Sequence, residues 1–180
     1  MKLKKTVVLV GMMGAGKTAV GRALALRLGV PFMDSDDEIV KAANMSIAEI
    51  FERDGEPFFR QKETQVIARL LDSEPCILST GGGAFMSDTN QQMIDERGVS
   101  VWLDADLDLL WSRVAHKDTR PLLRTENPKQ TLTEIFEKRV PIYAKAALSA
   151  KADHKMSIEN MVDRVIEVLL TRADVLEKES

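Results

Sequence analysis

Apolar residues in this chain fall into two alternating kinds of segment. Short runs rich in aliphatic residues occupy Thr6–Val10 and positions 31–34, 76–79, 99–103 and, more weakly, 148–153. Between them lie longer stretches whose apolar positions recur at helical spacing. Alternation of this kind predicts an α/β fold, a parallel sheet carrying helices on its faces. The clearest helix covers 17–29. Val20, Ala23, Leu24 and Leu28 share one of its faces, Arg22 and Arg27 lie opposite, and Gly29 stops it. Ser46 and Glu49 form a capping box that opens a short helix, and a further helix runs from about 57 to 71. Thr131 and Glu134 make a second box, and an amphipathic helix over 158–170 closes the chain. Pro141 falls inside a helical pattern, where it either kinks a helix or starts a new one.

One stretch, "HKDTRPLLRTENPKQ" at 116–130, has no useful period and contains two prolines. Structureless segments of that length within a compact domain are functional loops, often lids, or disordered. With 180 residues and neither repeats nor a linker, a single domain is expected.

Charge and cysteine content narrow the function. A net charge of −3 offers nothing that would draw nucleic acid or an anionic membrane, so any anionic ligand must be held by a few cations gathered locally. The lone Cys76 rules out an intrachain disulfide framework and a Cys-rich zinc site, and is expected to pack as a small hydrophobe. His116 and His154 have no ligand-spaced partners, and Trp102 and Trp111 are expected to serve packing. The apolar run after "MKLKK" is too short for a secretory signal, and no segment approaches the ~20 residues that span a bilayer. A cytoplasmic protein is expected.

Residues 11–18, "GMMGAGKT", match G-x-x-x-x-G-K-[ST] after a β-branched run and at the start of a helix. Glycines there allow a turn whose N–H groups converge on phosphate oxygens at the positive end of a helix dipole. Lys17 would reach the outer phosphates and Thr18 would bring its hydroxyl to Mg²⁺. The motif predicts a nucleoside triphosphate as ligand. No N-K-x-D sequence marks a guanine-specific switch, and the third apolar run ends at Ser79 where a Walker-B acid would stand. The carboxylate suited to Mg²⁺ is instead Asp34, at the end of the second run. That arrangement suits small phosphotransferases.

In an open α/β sheet, ligands lie outside the carboxyl ends of the strands. The phosphate loop, Asp34–Asp36 and the triple glycine 81–83 all fall there. Arg60 in "PFFRQKE" and Arg139 in "EKRVPIY" could together hold a small carboxylate, each through two N–H donors. Read alone, Arg60 could equally pair with Glu56 or Glu63, and Arg139 with Glu137.

Taken together, G-x-x-G-x-G-K-T, D-S-D, F-F-R, the triple glycine, R-P-L-L and K-R-x-P-x-Y resemble the shikimate kinase family, in order from Gly11 to about Asp153. The resemblance implies a P-loop kinase fold of the nucleoside-monophosphate-kinase type, a three-layer α/β/α unit with five parallel strands in the order 2-3-1-4-5. It implies an acceptor-binding helical segment at about 35–60 and a lid at about 114–128. It implies ATP- and Mg²⁺-dependent phosphorylation of the 3-hydroxyl of shikimate, by a monomer without nucleic-acid or membrane partners. Carried over by position, Gly14, Ala15, Gly16, Lys17, Thr18 and Ala19 would hold the phosphates of ATP. Arg113 would stand on the adenine side, with looser matches near 152–155, and Arg120 would be the lid arginine. Thr18 and Asp34 would be associated with the metal, Asp34 through a bound water, with Ser79 in the outer sphere. Asp36 would orient or deprotonate the acceptor hydroxyl. Arg60, Gly82 and Arg139 would hold its carboxylate between Phe51 and Phe59, and catalysis would rest on Lys17, Asp36 and Arg120. The competing readings are another small-molecule kinase, such as a gluconate-kinase-like enzyme, and a nucleotide switch without an acceptor.

Overall fold

The computed structural model describes residues 1–115 and 125–180. Numbered along the chain, β2 (Thr6–Val10), β3 (Phe32–Asp34), β4 (Ile77–Ser79), β5 (Gly98–Asp104) and β6 (Leu148–Lys151) form one sheet. They lie side by side as β3-β4-β2-β5-β6, every pairing parallel. Counting only the strands of this sheet, that is the expected order 2-3-1-4-5. β1 (Lys2–Leu3) and β7 (Leu176–Glu177) make a short antiparallel ribbon that the hydrophobic pattern does not reveal. Every residue of β2 and β4 is buried, as strands covered on both faces should be.

The helices α1 (Lys17–Leu28), α2 (Ser35–Ala43), α3 (Ile47–Asp54), α4 (Glu56–Leu71), α5 (Asp88–Arg97), α6 (Leu107–Val114), α7 (Pro128–Tyr143) and α8 (Ile158–Leu169) flank the sheet. α1 buries Val20, Gly21, Leu24, Ala25 and Leu28 and ends at a left-handed Gly29. Gly21 belongs to that face because a Cβ there would stand 2.7 Å from the Phe32 ring.

One local expectation is revised. Thr131 and Glu134 do not open a helix. α7 begins earlier, with Asn127 accepting from the N–H of Gln130 and Pro128 in the first turn. Proline suits that position because the N–H it lacks would have no partner inside the helix. Thr131 and Thr133 instead donate their hydroxyls back to the carbonyls of Asn127 and Lys129. Of the two outcomes open to Pro141, it starts no new helix, because α7 runs through it to Tyr143. Near the chain's end, Ser157 and Asn160 form a complete capping box at the start of α8.

The strand ends determine where chemistry is possible. Asp34, Ser79 and Leu9 lie in register across three adjacent strands, so the chain leaves β2, β3 and β4 at one edge. Thr80 fixes the exit from β4 by donating its hydroxyl to the Leu9 carbonyl at 3.0 Å.

Candidate active site

A cavity of about 600 Å³ opens over that edge. One wall is the loop between β2 and α1. Gly14 and Gly16 take positive φ angles of 84° and 94°, which turn the chain sharply just before α1. The N-cap position of α1 is Gly16, with no side-chain cap, so the first N–H groups of this helix are left for an anion. Most other helices here are closed by a side chain: Asp34, Ser46, Ser87, Asp106, Asn127 and Ser157 cap α2, α3, α5, α6, α7 and α8. Lys17 arches over the loop, its Nζ donating to the carbonyls of Gly11 at 2.6 Å and Met12 at 3.1 Å. Arg113, on α6, donates to the Gly14 carbonyl at 2.9 Å and so touches the phosphate loop itself.

The floor comes from the ends of β3 and β4. Asp34 closes β3 and also caps α2, accepting from the Asp37 N–H at 3.1 Å. Asp36 therefore lies in the first turn of α2 along with Asp37 and Glu38. The four acids differ in setting. Asp34 and Asp36 line the cavity, whereas Asp37 is exposed and Glu38 faces Lys41 and Arg69. Burial raises the carboxyl of Asp34 above its ordinary range. Asp36 is raised as well, by burial first and the neighbouring Asp34 second, with Lys17 and Arg60 pulling against them. Its Oδ1 is buried without a hydrogen-bond partner among the described residues.

Each glycine of 81–83 backs onto one polar side chain. A Cβ at Gly81 would stand 3.0 Å from Oδ1 of Asp36, and one at Gly82 would stand 2.6 Å from Nη1 of Arg139. At Gly83 it would overlap Nη2 of Arg60. The triple glycine thus lets two guanidinium groups and one carboxylate close around a single strip of backbone.

The two arginines are not equivalent. Arg60 donates to Glu63 at 2.9 Å and lies 3.5 Å from Glu56, so the local ion pair and the position beside Gly83 coexist. Glu63 is 1% exposed, and burial raises its carboxyl while Arg60 pulls it down. Arg139 makes no ion pair with any described carboxylate, Glu137 included. It lies instead against Gly82 and beside the hydroxyl of Tyr143. Phe59 is buried and Phe51 is 37% exposed, their ring centroids 4.8 Å apart.

On the far side of the phosphate loop the cavity is closed by Ala152, Met156, Ser157, Ile158 and Met161. Only the neighbourhood of Ala152 is foreseeable from sequence, because methionine and isoleucine at helical spacing read as core. His154 lies 3.5 Å from Asp106, in a surface pair. Arg120 falls outside the described residues.

The family model for shikimate kinase matches residues 13–170. The chain belongs to the shikimate kinase family. It is 69% identical to the shikimate kinase of Ruegeria pomeroyi over 97% of this chain and 90% of that one. To the shikimate kinase of Cereibacter sphaeroides it is 65% identical, over 98% and 88%. Among solved structures, the shikimate kinase of Acinetobacter baumannii in complex with shikimate superposes with a TM-score of 0.84 at 36% identity, over 93% of each chain. A gluconokinase from Sinorhizobium meliloti reaches 0.60 at 14% identity, a likeness of fold alone. Family and fold agree on a shikimate kinase, and its phosphate loop shares one cavity with Asp34, Asp36, Gly81 and Gly82.

Proposed function

We propose that this chain transfers the γ-phosphoryl group of ATP to the 3-hydroxyl of shikimate, forming shikimate 3-phosphate. The observation that carries the reading is the closure of Asp36, Arg139 and Arg60 around glycines 81–83, a strip whose Gly81, Gly82 and Asp36 share a cavity with the phosphate loop. A phosphate loop alone would serve any nucleotide-binding protein. An Arg139 without a described ion-pair partner, set on the same glycine strip as the buried Asp36, suits an acceptor that carries both a carboxylate and hydroxyls.

Phosphoryl transfer asks the protein for alignment and charge neutralisation rather than covalent chemistry. The uncapped start of α1 and Lys17 hold the phosphates of ATP. Arg139, assisted by Arg60 and the Gly82 backbone, anchors the acceptor carboxylate through charge-assisted hydrogen bonds. Asp36 then faces the hydroxyl and orients it or takes its proton. Arg120, assigned from the family pattern, reaches the transferring group as the lid closes and excludes water.

Mg²⁺ fits the donors available. Thr18 would offer its hydroxyl oxygen and Asp34 its carboxylate through a bound water; both line the cavity, and Ser79 stands in register with Asp34. No cluster of three or more metal-binding side chains occurs among the described residues. That suits an ion held by one or two protein oxygens, waters and substrate phosphates. Bound there, the ion would neutralise charge on the phosphate oxygens. No described helix is long and apolar enough to cross a membrane.

The test is ADP release by purified protein supplied with ATP, Mg²⁺ and a panel of hydroxy acids. Shikimate should accelerate release far above background hydrolysis. Acceleration by gluconate instead would replace the reading with that of a sugar-acid kinase.

A further inference from the structure

Tyr143 is 0% exposed at the end of α7 and is the chain's single tyrosine. Its hydroxyl donates to the Gly82 carbonyl, and the Arg139 guanidinium lies beside the same oxygen. The ring packs in a stacked arrangement with Trp102, 6.4 Å between centroids, which anchors it to β5. A phenol has one proton and spends it on Gly82, so toward Arg139 the oxygen can only accept. Arg139 and Tyr143 are four residues apart on α7, hence on one face of the helix, and that face meets the triple glycine.

We propose that Tyr143 is a positioning residue for the acceptor carboxylate. One hydroxyl locks the Gly82 peptide and the Arg139 guanidinium into a single orientation. Arg60 is held by Glu63 and Glu56, whereas Arg139 has no described carboxylate to hold it. Without an acid partner, a long guanidinium side chain would sample several rotamers and lose binding energy in being ordered by each acceptor molecule. Tyr143 supplies that order in advance without neutralising the charge. An acid in its place would hold Arg139 as firmly but compete with the substrate's carboxylate. The hydroxyl also fixes which way the Gly82 peptide faces. This inference rests on the shikimate reading above.

Two measurements test it, and wild-type turnover with shikimate tests the underlying reading separately. Tyr143→Phe keeps the ring and removes the hydroxyl. It should raise the KM for shikimate about tenfold, the scale of one buried hydrogen bond, while kcat and the KM for ATP stay within about twofold. In an Arg139→Ala background the same substitution should have little further effect on shikimate affinity. An unchanged shikimate KM, or an equal penalty with and without Arg139, would overturn the proposal. Fluorotyrosine incorporated throughout the unmutated protein labels Tyr143 alone, which covers the case of a variant that fails to fold. Its ¹⁹F resonance should move when shikimate is added without nucleotide and stay in place when ADP is added without shikimate. A resonance indifferent to shikimate would refute the role.

Discussion

The guanidinium of Arg60 occupies the space that a Cβ on residue 83 would need. Nη2 lies within overlap distance of that position and Nη1 at 2.8 Å, so Arg60 can take this place only because residue 83 is glycine. Glu63 and Glu56 hold the side chain from behind, and because its tip is the flexible partner, a Cβ at 83 would displace the guanidinium rather than the backbone.

Gly83→Ala should therefore push Arg60 out of its place without touching the phosphate loop. Losing one charge-assisted contact to the acceptor costs about 1.5–3 kcal/mol, a rise of about 10–100-fold in the KM for shikimate. The KM for ATP should stay close to the parent's. Steady-state kinetics with each substrate varied in turn checks this, and equal losses for both would point to a collapsed site.

Asp34 combines two roles that substitution can separate. As the N-cap of α2 it accepts from the Asp37 N–H, and asparagine can do the same. Asp34→Asn should melt near the parent temperature, whereas Asp34→Ala should lose about 1 kcal/mol of stability. Both remove the charge proposed to act on Mg²⁺ through a bound water, and both should lose about 10–100-fold in activity at limiting Mg²⁺. Mg²⁺ titrations of activity beside thermal melts distinguish the roles. An Asn variant with parental Mg²⁺ dependence would leave Asp34 as a helix cap and no more.

Much of this site was legible in sequence because its signals are local. The phosphate loop declares itself through glycine spacing followed by Lys17 and Thr18, and the strand order follows from the family those motifs identify. Asp36 is singled out by the family pattern D-S-D rather than by its local setting, since Asp37 and Glu38 share the first turn of α2 with it. What escaped sequence reading depends on tertiary placement. Tyr143 reads as an ordinary aromatic until α7 folds against Gly82, although its spacing of four from Arg139 was a usable hint. Met156, Ile158 and Met161 carry no polar signal, and only the direction of α8 brings them to the cavity. The start of α7 was misread because Thr131 and Glu134 satisfy the capping spacing while Asn127–Pro128 satisfy it better. The two settings of Arg60 read from sequence as alternatives, and that they coexist follows only from its place against Gly83.

Ser157 tests whether the wall formed by the start of α8 matters to the nucleotide. Its side chain accepts from the Asn160 N–H, the Asn160 side chain accepts from the Ser157 N–H in return, and Ser157 itself lines the cavity. Ser157→Ala should lower stability by about 1 kcal/mol. If that wall faces ATP, the KM for ATP should rise while the KM for shikimate holds. A shift confined to shikimate would move the wall to the acceptor side.

Asp36 should make stability and activity run in opposite directions with pH. Burial and Asp34 hold its folded-state pKa above the ordinary 3.8, so the folded chain binds this proton more tightly than the unfolded chain does. The group's contribution to stability is then complete below 3.8 and is lost as pH rises through the raised folded-state value. The ionised carboxylate is the form that can orient the acceptor hydroxyl or take its proton, so kcat/KM should rise through that same value. Asp36→Asn removes both dependences. The variant's melting temperature, measured against the parent's without substrates, should gain as pH climbs from 3.8 through the window. Its residual activity should lack the acid limb. A melting-temperature difference that stays constant with pH would mean that Asp36 has no raised affinity for its proton, and the parent's acid limb would then belong to another group.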